Sequence, residues 1–271
     1  MNLIELLKYT FLGIVQGLTE ALPISSSGHL LIFKTLMNVE IDFDTLAIIT
    51  NFGSLVAIMI LFREDIKKLI INFFKYLKTK NKKYKDDYKY CWLIVIGCIP
   101  AGLIGLIVKK FDILDNFENN VKIVGISLLI TALLLFIIRN FNGKKKAKDM
   151  SYKDALAVGS FQIIGLFPGI SRSGSTIVGG MLTGLERDTA FKYSFLLYIP
   201  MSLAATVLEL SDLFKTTIDS TLIIYYTIAT IIAGIMTFLF TKWFRKLVNE
   251  GKLIYFVYYC LIVGSLVIIF L

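Results

Sequence analysis

The sequence predicts an all-α polytopic integral membrane protein with an inverted-topology repeat, built from six spanning helices and two re-entrant helical hairpins. Three observations lead there. The 271 residues are 56% hydrophobic with a mean hydropathy of +0.73 and only 18% charged residues, far more apolar than a soluble domain. Lysine and arginine are concentrated in alternate inter-span segments. A polar, proline-broken stretch near the N-terminus recurs in part 146 residues later, as the step from Gly13 to Gly159 shows.

Taken in order, residues 3–36 are apolar but interrupted by Pro23 and the run Ser25, Ser26, Ser27, Gly28, which predicts a broken hairpin. Apolar runs at 44–62, 91–108 and 121–138 are long enough to cross a hydrocarbon core, which needs about 20 helical residues. Residues 154–185 form a second broken hairpin, interrupted at Pro168, and spans follow at 190–210, 221–241 and 253–271. Irregular backbone at membrane depth survives only where protein or a water-filled cavity satisfies it, so the two breaks mark a site.

The formal charge of +9 raises the question of nucleic acid, but its placement answers it. Ten positive residues lie in 63–90, six in 139–153 and four in 242–252, whereas 110–120 and 211–220 hold only Lys110 and Lys215. This alternation makes the three basic segments cytoplasmic loops in contact with anionic membrane lipids, and no nucleic-acid partner is expected. Cys91, Cys98 and Cys260 show no CxxC spacing and read as packing residues.

Gly13, Gln16, Ile24, Ser25, Ser27 and Gly28 recur as Gly159, Gln162, Ile170, Ser171, Ser173 and Gly174. Counting spans from the cytoplasmic segments puts both ends of the first hairpin outside and both ends of the second inside. The repeats, 1–140 and 141–271, are therefore expected to be inverted, with their hairpin tips meeting near the midplane of one membrane domain.

That meeting would gather Gln16, Glu20, Ser25, Ser26, Ser27 and His29 with Ser171, Arg172, Ser173, Ser175 and Thr176. Ionisable groups at membrane depth are costly, which marks Glu20, His29 and Arg172 as functional candidates. Their chemistry suits phosphate: Arg172 offers a planar donor fork in a Gly/Ser turn that opens a helix, and the hydroxyls add donors. Gln16 and Glu20, four apart on a helix, could offer oxygens to a divalent cation, Mg or Ca, whose other ligands are substrate phosphates and water. The plainer alternatives are a helix N-cap for Ser25 or Ser27, a packing role for His29, and a mutually neutralising buried pair for Glu20 and Arg172.

QGLTEALPISSSGH at 16–29 and PGISRSGST at 168–176, together with FGS at 52–54, GGMLTG at 179–184 and SFLLYIPM at 194–201, resemble the undecaprenyl-diphosphate phosphatases, the bacitracin-resistance family. The resemblance implies a bacterial inner-membrane enzyme. It would hydrolyse the polyprenyl diphosphate lipid carrier to the monophosphate and inorganic phosphate, supplying carrier for cell-wall polymers, with its pocket toward the outer leaflet. By position it matches Glu20 to the family's essential glutamate, Gln16 to its first acidic-or-amide position, Ser26 and His29 to the serine and histidine of the first motif, and Ser171, Arg172 and Thr176 to the polar set of the second. With the reading of the residues this makes Glu20, Ser26, His29 and Arg172 the expected catalytic set, Ser25, Ser27, Ser171, Ser173 and Thr176 the expected phosphate contacts, and Gln16 and Glu20 the expected metal ligands. Gln16 departs from the glutamate that many members have there, so a cation would be held with one fewer charge.

The preferred nucleophile is Ser26 with His29 as its base; His29 itself and a water activated by Glu20 are the alternatives. A type-two phosphatidic-acid phosphatase needs a second histidine about six residues after its arginine, where this chain has Val178. The reading from another class is a transporter or flippase of an anionic polyprenyl phosphate lipid, because inverted repeats with broken helices underlie many transporters. No motif in the sequence sets an oligomeric state.

Overall fold

The computed structural model describes residues 3–37, 43–114, 117, 120–213 and 220–271, and among these every regular segment is helical. The helices are α1 (Leu3–Ala21), α2 (Ser26–Leu36), α3 (Phe43–Leu61), α4 (Arg63–Thr79), α5 (Lys85–Lys110), α6 (Val121–Ile138), α7 (Tyr152–Ile164), α8 (Arg172–Leu182), α9 (Arg187–Leu213), α10 (Ser220–Asn249) and α11 (Ile254–Phe270). The only strand-like pairing among described residues is a lone bridge between Lys145 and Leu185.

Four helices, α5, α6, α9 and α10, are each long and apolar enough to cross a membrane; α3 and α4 meet that standard together but are bent by 69° at Phe62. Helix α11 is apolar over 17 residues, at the short end of spanning length. Large apolar side chains face outward in stripes, such as Val95, Ile99, Leu103 and Leu106 on α5 and Ile231, Ile235 and Leu239 on α10. In water such surfaces would aggregate; they belong against lipid, and the chain is a multi-pass membrane protein.

Pro100 and Pro200 sit inside α5 and α9 without ending them. The breaks at Pro23 and Pro168, by contrast, do separate helices: α1 from α2, and α7 from α8. Ser25 and Ser171 cap the two second helices, their hydroxyls accepting from the N–H groups of Gly28 (3.3 Å) and Gly174 (3.1 Å).

The basic segment 63–90, expected as a loop, is mostly helix. Ile70, Ile71, Phe74 and Leu77 are exposed on α4, interleaved with lysines, which is the pattern of a helix lying in a membrane interface. The start of α5 pairs with α4: Asn72 donates to Asp87 (2.6 Å), Lys68 bridges Asp87 (3.2 Å), and the Tyr76 and Tyr88 rings lie 4.6 Å apart. Residues 186–188 open α9. Asp188 receives a forked pair of bonds from Arg245 of α10 (2.8 and 3.1 Å), tying the two helices at that end.

Packing interleaves the chain's two halves. Helix α1 lies along α10 through Gly13 and Gly17, where a Cβ on Gly17 would come 2.8 Å from the Ala233 Cα. Helix α7 lies along α5 through Gly159, whose Cβ would come 3.0 Å from Pro100 Cδ. Small residues at these crossings let backbones approach closely, the usual basis of helix association where lipid removes a hydrophobic driving force.

Candidate active site

The two helix breaks come tip to tip. At the first, Ala21 ends α1 and Ser25 turns the chain with φ +69°, a conformation disfavoured for a residue bearing a Cβ. At the second, Gly169 takes the corresponding turn with φ +83°, while Ser171 keeps an ordinary φ of −71°. A Cβ on Gly28 would lie 3.3 Å from Gly169, and one on Gly174 would lie 3.4 Å from Pro23. The Ser173 hydroxyl reaches the Leu22 carbonyl (3.4 Å). Helix α6 braces the second tip from the side, with the Ser127 hydroxyl donating to Pro168 O (2.7 Å) and Thr131 accepting from the Ser171 N–H (3.2 Å).

Between the tips lies a cavity of about 390 Å³ lined by Glu20, Ser25, Ser26, Ser27, Ser171, Arg172 and Ser173, with Thr19, Asn51, Gln162, Tyr198 and Ser202 also in its polar wall. Helices α2 and α8 both begin at this cavity. The first N–H groups of a helix have no intrahelical acceptor and carry its positive dipole end, so two such ends face one volume. That arrangement suits an anion with several oxygens.

Glu20, 8% exposed, is the hub. One carboxylate oxygen receives Arg172; the other receives the Ser26 hydroxyl (2.6 Å) and the Gln16 amide (3.2 Å). Arg172 also lays its guanidinium over the Tyr198 ring, 3.8 Å from its centroid. Tyr198 donates its hydroxyl to Asn51 Oδ1 (2.9 Å), and Asn51 donates to Ser202 (3.0 Å), so α3 and α9 together fix the plane on which the arginine rests.

Seven of the residues singled out from the sequence thus line one cavity. Gln16 does not; it sits behind Glu20, 2% exposed. Thr176 is also outside, bonded to Ser194 (2.5 Å). His29 lies outside as well: Nδ1 faces the Ser25 carbonyl (2.8 Å) and Nε2 the Tyr259 hydroxyl (2.8 Å). A carbonyl only accepts, so Nδ1 carries a hydrogen, and in the neutral ring Nε2 accepts from Tyr259, which commits both nitrogens. Ser26 is bonded to Glu20 rather than to His29.

Tyr198, Asn51, Ser202 and Gln162 were not singled out as site residues. Tyr198 falls within SFLLYIPM and Asn51 directly precedes FGS, but nothing local in either stretch tells a cavity wall from span interior. Gln162 did carry a signal, its repeat match to Gln16.

For a divalent cation the donor set is thin. Among the described residues no three His, Cys, Asp or Glu side chains cluster, and Glu20 is the one carboxylate on the cavity wall. One carboxylate with neighbouring hydroxyls fits a hard cation only if phosphate oxygens and water supply most of its ligands.

The chain matches the family model described as "Bacitracin resistance protein BacA" over residues 9–266. It is 46% identical over 266 residues to "Undecaprenyl-diphosphatase 2" of Bacillus thuringiensis, covering 98% of each chain. It is 42% identical over 277 residues to "Undecaprenyl-diphosphatase" of Oceanobacillus iheyensis and 40% identical over 270 residues to "Undecaprenyl-diphosphatase 1" of Bacillus licheniformis, with full coverage of both partners in each case. A match spanning nearly the whole chain, motifs and hairpin tips included, makes this protein a member of the bacitracin resistance protein BacA family.

Proposed function

We propose that the protein is an undecaprenyl-diphosphate phosphatase, removing the terminal phosphate of the polyprenyl diphosphate carrier to give undecaprenyl phosphate and inorganic phosphate. The observation that carries this is the convergence, on one cavity, of two helix N-termini, an arginine fork and a serine hydroxyl bonded to a carboxylate. The relatives named above carry the matching activity in their names.

The diphosphate sits at the N-termini of α2 and α8, with Arg172 on its terminal phosphate and the hydroxyls of Ser25, Ser27, Ser171 and Ser173 around it. Ser26 Oγ attacks the terminal phosphorus and passes its proton to Glu20, the group it already faces at 2.6 Å. The anhydride P–O bond breaks, undecaprenyl phosphate leaves, and water then releases phosphate from Ser26. Arg172 and the helix ends stabilise the charge that spreads over the phosphoryl oxygens, the main contribution in such transfers. His29 and Thr176 support α2 and α8 from behind. Glu20, with Gln16 at its back, is the carboxylate that would meet a Mg or Ca ion carried on the phosphates; such an ion would offset the negative charge of the diphosphate.

We also propose the full inverted repeat, 1–140 and 141–271, with six spans. Contacts supporting it come in symmetric pairs. Gly28 faces Gly169 and Gly174 faces Pro23, and the offset of 146, which takes Gly28 to Gly174 and Pro23 to Gly169, carries one contact onto the other. Likewise α1 rests through Gly13 on α10 and α7 rests through Gly159 on α5, each on the second span of the opposite half. With the basic segments inside, the site serves the outer leaflet of the bacterial plasma membrane. The experiment is phosphate release from a polyprenyl diphosphate by purified protein in detergent, where a pure transporter has no sides to work between; no release by the wild type refutes the reading.

A further inference from the structure

Within the cavity wall most polar side chains are already committed. Ser25 and Ser171 accept from the backbone, Ser26 donates to Glu20, Ser173 donates to Leu22, and Asn51 is shared between Tyr198 and Ser202. Among the buried side chains Gln162 is the exception. It is 1% exposed, it lines the cavity, and both amide atoms, shielded from bulk water, have no hydrogen-bond partner among the described residues. Leaving a buried amide unmade on both ends is among the more costly arrangements a fold can retain.

The repeat explains how this comes about. Gln16, its counterpart, donates to Glu20 one turn later on α1. The same offset puts Leu166 where the carboxylate would be (20 + 146 = 166), so α7 keeps the amide and lacks its acceptor. Leu166 also lines the cavity, and Arg172 is in the same wall.

We propose that Gln162 is a substrate-binding residue whose Nε2 donates to an oxygen of the bound diphosphate. This rests on reading the cavity as the polyprenyl diphosphate site. A neutral amide donor is suited to an oxyanion that already meets a guanidinium, because it adds a directed bond without adding charge. The terminal torsion of glutamine is broad and cheap to turn, so Nε2 turns toward the ligand side of the amide without moving α7.

The test compares Gln162→Leu and Gln162→Glu with the wild type, using phosphate release from a short-chain isoprenyl diphosphate and the thermal shift induced by inorganic pyrophosphate. The expected result is a KM raised about tenfold to a hundredfold in Gln162→Leu with kcat changed only a few-fold. The pyrophosphate shift should be lost while the unliganded protein melts no lower than the wild type. Gln162→Glu, which replaces the donor by a charge of the wrong sign, should bind more weakly still. If Gln162→Leu fails to fold, Gln162→Met, of matching length, takes its place. Wild-type KM and wild-type pyrophosphate shift in the apolar variant overturn this inference, for the amide would then be a tolerated defect of the core. Absence of turnover and of any shift in the wild type instead overturns the phosphatase reading on which it rests.

Discussion

Replacing Glu20 by Gln separates two effects that the site combines. The carboxylate holds the Ser26 hydroxyl at 2.6 Å and also occupies Arg172, the group a phosphate would need. The amide keeps the shape and an acceptor oxygen but cannot take a proton. Loss of a positioned general base lowers turnover by about 10²- to 10⁴-fold. Anion binding should move the other way. A unit charge about 4 Å from a phosphate contributes about 4 kcal/mol of repulsion at an effective dielectric of about 20. Arg172 keeps 24% of its side chain exposed, and screening of that order reduces the net gain to about 1 kcal/mol, roughly fivefold in affinity. Single-turnover phosphate release measures the first effect; calorimetric titration with pyrophosphate in the presence of a chelator measures the second. Turnover within threefold of the wild type would refute the assignment of Glu20 as base. Weaker pyrophosphate binding in chelator would refute the idea that Glu20 and phosphate compete for Arg172.

Three further outcomes are expected. Arg172→Lys retains the charge but loses the fork and the stacking on Tyr198, and kcat/KM for phosphate release should fall by at least about a hundredfold. Gly17→Ala drives a methyl into the backbone of α10 at Ala233 and should cost about 1–3 kcal/mol, read as a lower midpoint of thermal unfolding in detergent. Burial alone raises the Asp154 carboxyl, but the Ser151 backbone N–H, Lys145 (2.9 Å) and the Ser151 hydroxyl outweigh it and hold it below the ordinary value. Its contribution is therefore present at neutral pH and disappears as pH falls from about 4 through that lowered value; the stability advantage of the wild type over Asp154→Asn should shrink over the same window.

The apolar helices and the two breaks were legible in the sequence because hydropathy over a 20-residue window and the placement of proline are local properties. Helix α4 was not, since its lysines dominate composition while Ile66, Leu69, Ile70, Phe73 and Leu77 carry a helical period that a window average erases. The hairpin-tip residues announced themselves by being polar where lipid was expected. Tyr198 and Asn51 are 147 residues apart, and only the packing of α9 on α3 makes them one support for Arg172. The partner of His29 is likewise beyond sequence reasoning: Tyr259 lies 230 residues away and looks like any other aromatic of a terminal span.

Helix α1 fits into a groove of α10 shaped to its glycines, and α10 begins only at residue 220. With Gln16, Thr19 and Glu20 on its buried side, α1 is poorly suited to sit alone in lipid. The surface that receives its glycine face is therefore made only after most of the chain has been synthesised. The first half is not a module that matures and then receives a second. A chain that stops before α10 keeps the contacts of α1 with α2 and α3 but leaves the glycine face of α1 open.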